Sequence, residues 1–171
     1  MSLDSLEKLF LEELKDVYNA EKQILRALPR MAKAAESPGL GQAFTQHLKE
    51  TQGQVQRLER IFKELGQTAR GKKCKGMEGL LEEGKEVLEQ EGEPAVIDAA
   101  LIASAQRVEH YEIAAYGCLR TYASLLGYSE AERLLRQTLK EEEAADEKLS
   151  QLGESGINEA AAMAGAALEE E

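Results

Sequence analysis

Apolar residues recur at helical spacing through four long runs of this chain. The first covers residues 3–35, with a stripe of Leu6, Phe10, Leu14, Val17, Ile24, Leu28, Met31 and Ala35. Asp4 or Ser2 is its expected N-cap, Pro29 predicts a kink or local break, and Ser37-Pro38-Gly39 ends it. The second run, about 40–66, carries Phe44, Leu48, Val55, Leu58, Phe62 and Leu65 and stops at Gly66. The third, about 94–126, opens on Pro94, ends at Gly127 and buries Leu101, Ala105, Val108, Ala115 and Leu119. The fourth begins near Ser129, an N-cap with Glu132 as its capping-box partner, and turns Leu135, Leu139, Leu149 and Leu152 inward. Between the second and third runs lies a basic loop, Thr68 to Gly76, then a short amphipathic helix from Met77 to about Gln90. A connection this long suits a crossover running the length of a bundle.

The pattern predicts an all-α four-helix bundle with a long crossover carrying a short extra helix. The bundle covers 1–153, followed by an Ala/Glu-rich tail, 154–171, that carries a short helix over 158–168 or is partly disordered. Three prolines, no tryptophan and abundant Ala, Leu, Glu, Lys and Gln agree with helix.

Carboxylates interrupt these stripes where Leu or Ile belongs. Glu112 lies one heptad from Ala105 and Leu119, Glu109 one heptad from Ile102 and Tyr116, and Glu21 one heptad from Leu14 and Leu28. Glu142 is one heptad from Leu135 and Leu149, and Asp146 one heptad from Leu139. In the second run the column Ala43, His47, Glu50, Gln54, Ile61 has a polar middle and apolar ends. Glu141 and Glu143 share columns with Lys148 and Arg136 and are expected in solvent. An internal echo, Gln46–Glu50 against Gln137–Glu141, would instead match Glu50 with Glu141; burial favours Glu142. Depths agree: Glu112 is 15 residues before Gly127 and Glu142 is 15 after it, while Glu21 is 17 before Pro38 and Glu50 is 12 after it.

Several carboxylates cannot stay ionised in one dry cavity without cations. Hard divalent ions, iron or manganese, are the economical answer, with Glu109 or Glu112 bridging. One alternative keeps some of these residues on helix edges, paired with Lys15, Lys22, Arg26, Arg107 or Lys148; another is a metal-poor structural or interaction protein whose acidic core is partly protonated polar packing.

The 171 residues carry a net charge of −11, which argues against nucleic-acid and anionic-membrane partners. No apolar run is long enough to span a bilayer, and the N-terminus lacks the features of a secretory signal. A reduced, cytoplasmic setting is the default expectation. Cys74 reads as an exposed thiol between two lysines, with a redox role as the sharper alternative, and Cys118 as a buried small residue. His110 points away from the acidic stripe, while Tyr18 and Tyr111 are either partners of the metals or amphipathic core edges.

The segments Glu13–Gln23, Lys73–Leu80, Val108–Gly117 and Thr138–Leu149 resemble the bacterial YciF/YciE-type stress proteins, a branch of the ferritin-like superfamily. The resemblance implies a commonly dimeric four-helix bundle with a di-iron-type site, falling here on Glu21, Glu50, Glu109, Glu112, Glu142 and Asp146. Redox cycling of such ions would consume peroxide or oxygen, or oxidise ferrous iron, and the sequence does not choose among these reactions. The Glu-x-x-His pair of the broader di-iron pattern is missing: Glu50 is followed by Gly53 and Gln54, and Asp146 stands on the fourth helix. His47, three residues before Glu50, is the substitute nitrogen ligand on offer. An iron-storage cage is a further class, though no feature specifies a large shell.

Overall fold

A computed structural model describes residues 3–168. In chain order the helices are α1 (Leu6–Ala34), α2 (Pro38–Glu64), α3 (Lys75–Leu88), α4 (Pro94–Leu125), α5 (Ser129–Leu152) and α6 (Asn158–Leu168), with a wide π-helical turn at Gly153–Ile157. Each long helix has two long neighbours: α1 packs on α2 and α4, and α5 packs on α4 and α2. The result is the all-α bundle with a crossover, and α6 lies along α4.

Local chemistry sets the helix ends. Ser5 caps α1, its hydroxyl accepting from Lys8 N at 3.2 Å, in place of Asp4 or of Ser2, which lies outside the described residues. Pro29 does not break α1, because it sits on the exposed face where water can satisfy the carbonyl left without a partner. Ser37 and Pro38 open α2 rather than lying in the turn, as N-cap and first residue. Gly66 (φ 64°) and Gly127 (φ 75°) adopt the left-handed conformation that closes α2 and α4, with Gln67 N donating to Phe62 O at 2.8 Å and Tyr128 N to Ala123 O at 2.9 Å. That closure carries the chain into α5 one residue early, so Tyr128 is the N-cap and no capping box forms; Glu132 pairs with Arg136 instead.

Asp98 explains how the crossover ends. Buried near the start of α4, its carboxylate accepts from Glu36 N at 3.0 Å and Ser37 N at 2.7 Å. The crossover therefore returns to the end of the bundle where α2 begins, and α2 and α4 run parallel. On the way it lies against α1, with Lys72 N donating to Lys15 O at 3.1 Å and Cys74 N to Asn19 Oδ1 at 2.8 Å. A Cβ on Gly71 would stand 2.9 Å from Asn19 Cβ and 3.3 Å from its Cα, both close to stiff backbone. Gly71→Ala is expected to cost about 1–3 kcal/mol in denaturant unfolding. Unchanged stability would contradict this docking.

The cysteines exchange the roles expected of them. Cys74 is buried (1 % exposed) because it caps α3: Met77 N donates to its sulfur at 3.4 Å, and Tyr111 Oη lies 2.9 Å away. Burial raises the Cys74 thiol pKa, so a reactive thiolate is disfavoured there. Cys118 faces solvent on α4. A thiol reagent should therefore label native protein rapidly at Cys118 and reach Cys74 only on unfolding. Two fast thiols would contradict the docked crossover.

The apolar core is divided. One cluster contains Ile24, Leu28, Met31, Phe44, Leu101, Ala105 and Val108, and the other Phe10, Leu14, Leu58, Phe62, Leu119, Leu134 and Leu135. Between them lies a belt of buried polar side chains: Glu21, His47, Thr51, Gln54, Glu109, Glu112, Thr138 and Glu142.

Candidate metal centre

Each long helix contributes to the belt at mid-length, because the heptad that seats leucines above and below carries a polar residue inward there. Glu21, Glu112 and Glu142 are no more than 1 % exposed, and Glu109 is 3 % exposed. Ligand-type atoms of His47, Glu109, Glu112 and Glu142 all lie within 4.8 Å of one another. His47 Nε2 is 3.4 Å from Glu109 Oε1 and 3.7 Å from Glu142 Oε2, while Nδ1 is 3.6 Å from Glu50 Oε2.

The hydrogen-bond supply is far short of the demand. Gln54 donates to Glu142, and Tyr116 Oη to Glu21. Glu21 Oε2, both His47 nitrogens, Gln54 Oε1, Glu109 Oε2, both Glu112 oxygens and Glu142 Oε2 are buried without a hydrogen-bond partner. Such orphaned groups are rare in folded proteins and call for an ion, a ligand or protons shared between the carboxyls.

Electrostatics show the same crowding of acidic groups. Burial, then the Glu142 charge, raises the Glu21, Glu109 and Glu112 carboxyls well above the ordinary value of 4.5. Tyr116 is likewise raised by burial and by Glu21 and Glu112. Burial alone would lower the His47 imidazole, but Glu50 and Glu142 outweigh it and raise it. Glu50, half-exposed, is lowered by His47.

The other residues expected at the site divide. Gln54 is fully buried in the belt. Glu50 stands at its edge, beside His47. Asp146 lies outside the cluster: it accepts from Gln106 Nε2 at 3.1 Å and sits 3.2 Å from Nε2 of the exposed His110.

Four of the five cations named as partners are engaged outside the belt. Lys15 pairs with Glu12, Lys22 with Glu59 and Arg107 with Glu83, and Arg26 donates to a backbone carbonyl. Tyr18 bonds Glu59 and Tyr111 bonds Asp16, so the tyrosine in contact with the belt is Tyr116.

Arg57 and Glu141 were missed. Glu141 is not solvated but half-buried, held by Arg57 Nη1 at 2.8 Å, and the same nitrogen reaches Thr138 Oγ1 at 2.7 Å. Arg57 lies one heptad after Glu50, a signal that becomes readable once α2 and α5 are known to be neighbours.

The donor set, carboxylates from three helices, one imidazole and an amide oxygen, has the chemistry of a site for a hard metal ion. Among the described residues, no helix is long and apolar enough to cross a membrane.

Comparisons with known proteins bear on this geometry. Residues 5–162 match the model of a family described as a domain of unknown function, DUF892. Protein YciF of Escherichia coli (strain K12) is 47% identical over 162 residues, covering 94% of this chain and 98% of that protein. The crystal structure of the E. coli stress protein YciF superposes with a TM-score of 0.87 over 91% of this chain and 99% of that one. YcfI of Rhodopseudomonas palustris, 45% identical, gives a TM-score of 0.84 over 88% of this chain and 97% of that one. A protein of Xanthomonas campestris pv. campestris shares the fold at 22% identity, with a TM-score of 0.68 over 88% of this chain and 92% of that one. Family model, sequence identity and superposition agree over nearly the whole chain, which therefore belongs to the DUF892 family, as a YciF-like stress protein.

Proposed function

We propose that the polar belt holds a dinuclear centre of iron or manganese in a cytoplasmic homodimer that acts in stress defence. The observation that carries this reading is the set of buried, unpartnered oxygens and nitrogens on Glu21, His47, Glu109, Glu112 and Glu142. A metal-free structural bundle would gain by replacing them with leucines, since buried carboxylates without partners are a large stability cost.

His47, Glu109, Glu112 and Glu142 would hold the ions, with Glu21 beside them. The ions, when bound, would supply one-electron redox steps toward peroxide, oxygen or ferrous iron. Gln54 holds Glu142 by its amide, and Tyr116 holds Glu21 by its phenol, fixing both carboxylates in orientation. His47, beside Glu50 at the edge of the belt, is placed to hold or release a proton between the interior and the surface. The apolar clusters above and below exclude water from the layer.

Elemental analysis of protein purified without added iron, beside a Glu112→Ala variant, tests the reading. Near-stoichiometric iron or manganese in the parent and its loss in the variant are expected. Sub-stoichiometric metal in both samples would refute it.

A further inference from the structure

We propose that the cavity between α2 and α5 binds a small, uncharged organic molecule with an apolar body and one hydrogen-bonding head. The cavity measures about 370 Å³ and ends on His47 and Glu109. That volume is large enough for a small organic ligand, since such sites begin at about 300 Å³.

The walls are apolar. Ala43 and Phe44 line the α2 side, and Ala145 and Leu149 the α5 side. The alanines widen the space, and a larger aliphatic residue at either position would narrow it. The floor is polar and unsatisfied: His47 is 5 % exposed and Glu109 3 % exposed, and His47 Nδ1, on the Glu50 side of the ring, and Glu109 Oε2 lack hydrogen-bond partners. A hydroxyl-type head can donate to the carboxylate and accept from the imidazole.

Charge disfavours an ionic ligand of either sign: Lys148 on the wall would repel a cation, and the carboxylates at the floor an anion. Glu50 and Lys148 line the cavity with opposite signs, and Glu142 lies 3.7 Å behind His47, so an anionic head would meet like charge. The ligand's place beside a metal pair rests on the function proposed above; its binding in the cavity does not.

The probe is 2-phenyl-2-propanol, titrated into the full chain and followed by NMR of the alanine and leucine methyls. Mn²⁺ uptake by the same preparations is read separately, by loss of the free-ion EPR signal. Saturable shifts at Ala43, Ala145 and Leu149 are expected. Ala145→Leu and Ala43→Leu should each weaken binding at least tenfold and leave Mn²⁺ uptake unchanged. The two variants fill opposite walls, so one that fails to fold leaves the other as the test. Absence of saturable shifts, from closure by a second copy or any other cause, would overturn the proposal, as would parental affinity in the folded variants. Probe binding without Mn²⁺ uptake would sink the metal centre and leave this site standing; the reverse would sink this site alone.

Discussion

Metal-free protein is expected to lose thermal stability as the pH rises from about 5 to about 8, and added Mn²⁺ to restore more of it at the higher pH. The sign follows from the belt. Glu21, Glu109 and Glu112 are raised well above 4.5 in the fold, so they bind protons there that the unfolded chain has already released. Their contribution is complete below about 4.5 and declines as the pH climbs through the raised folded values. His47, also raised, declines in the same direction above its ordinary 6.5. Glu50, lowered, acts oppositely, but only as the pH falls below 4.5. Metal binding needs the deprotonated carboxylates, so its stabilising effect grows over the same window. At a free metal concentration about a thousand times Kd the gain is about 4 kcal/mol, or roughly 10 °C in Tm for a chain of this size. Differential scanning calorimetry at about pH 5 and pH 8, with and without Mn²⁺, reads both trends. A metal-free Tm that rises with pH, or a metal effect independent of pH, would contradict the ionisation described.

Glu142→Gln is expected to invert its effect between the two states. Glu142 is the largest source of charge repulsion on Glu21, Glu109 and Glu112, after burial itself. The amide keeps the volume and an oxygen that accepts from Gln54, while the charge is gone. Metal-free protein should therefore gain about 1–3 kcal/mol near neutral pH. The same change removes a ligand from the centre, and loss of a ligand from a metal site costs at least tenfold to a hundredfold in affinity. The Mn²⁺-induced rise in Tm should largely disappear. A variant that is less stable without metal, yet still responds fully to Mn²⁺, would show that Glu142 is a packing residue.

The bundle was legible because each long helix keeps a regular apolar stripe, which fixes the inward face without knowledge of its neighbours. The acidic interruptions at Glu21, Glu109, Glu112 and Glu142 were legible for the same reason: each sits a heptad from residues that are themselves buried or half-buried. What escaped depends on which helices touch. Arg57 and Glu141 meet because α2 and α5 are neighbours, and no stripe encodes that pairing. Asp146 shares a column with Leu139, yet Leu139 is itself only partly buried, so the column lies on the flank of α5 and delivers Asp146 to Gln106 and His110. Cys74 looked exposed because a basic loop usually is; its backbone bonds to Asn19 and Gln23 instead draw it inward. Pro29 suggests a kink or local break by propensity alone, because propensity ignores which face a proline occupies.

Anomalous diffraction from crystals grown with Mn²⁺, collected at the manganese edge, tests the central claim most directly. The belt predicts two strong peaks among Glu109, Glu112, Glu142, Glu21 and His47, each within coordination distance of at least two of these side chains. A belt without peaks at saturating Mn²⁺, with manganese bound only at surface carboxylates, would contradict it.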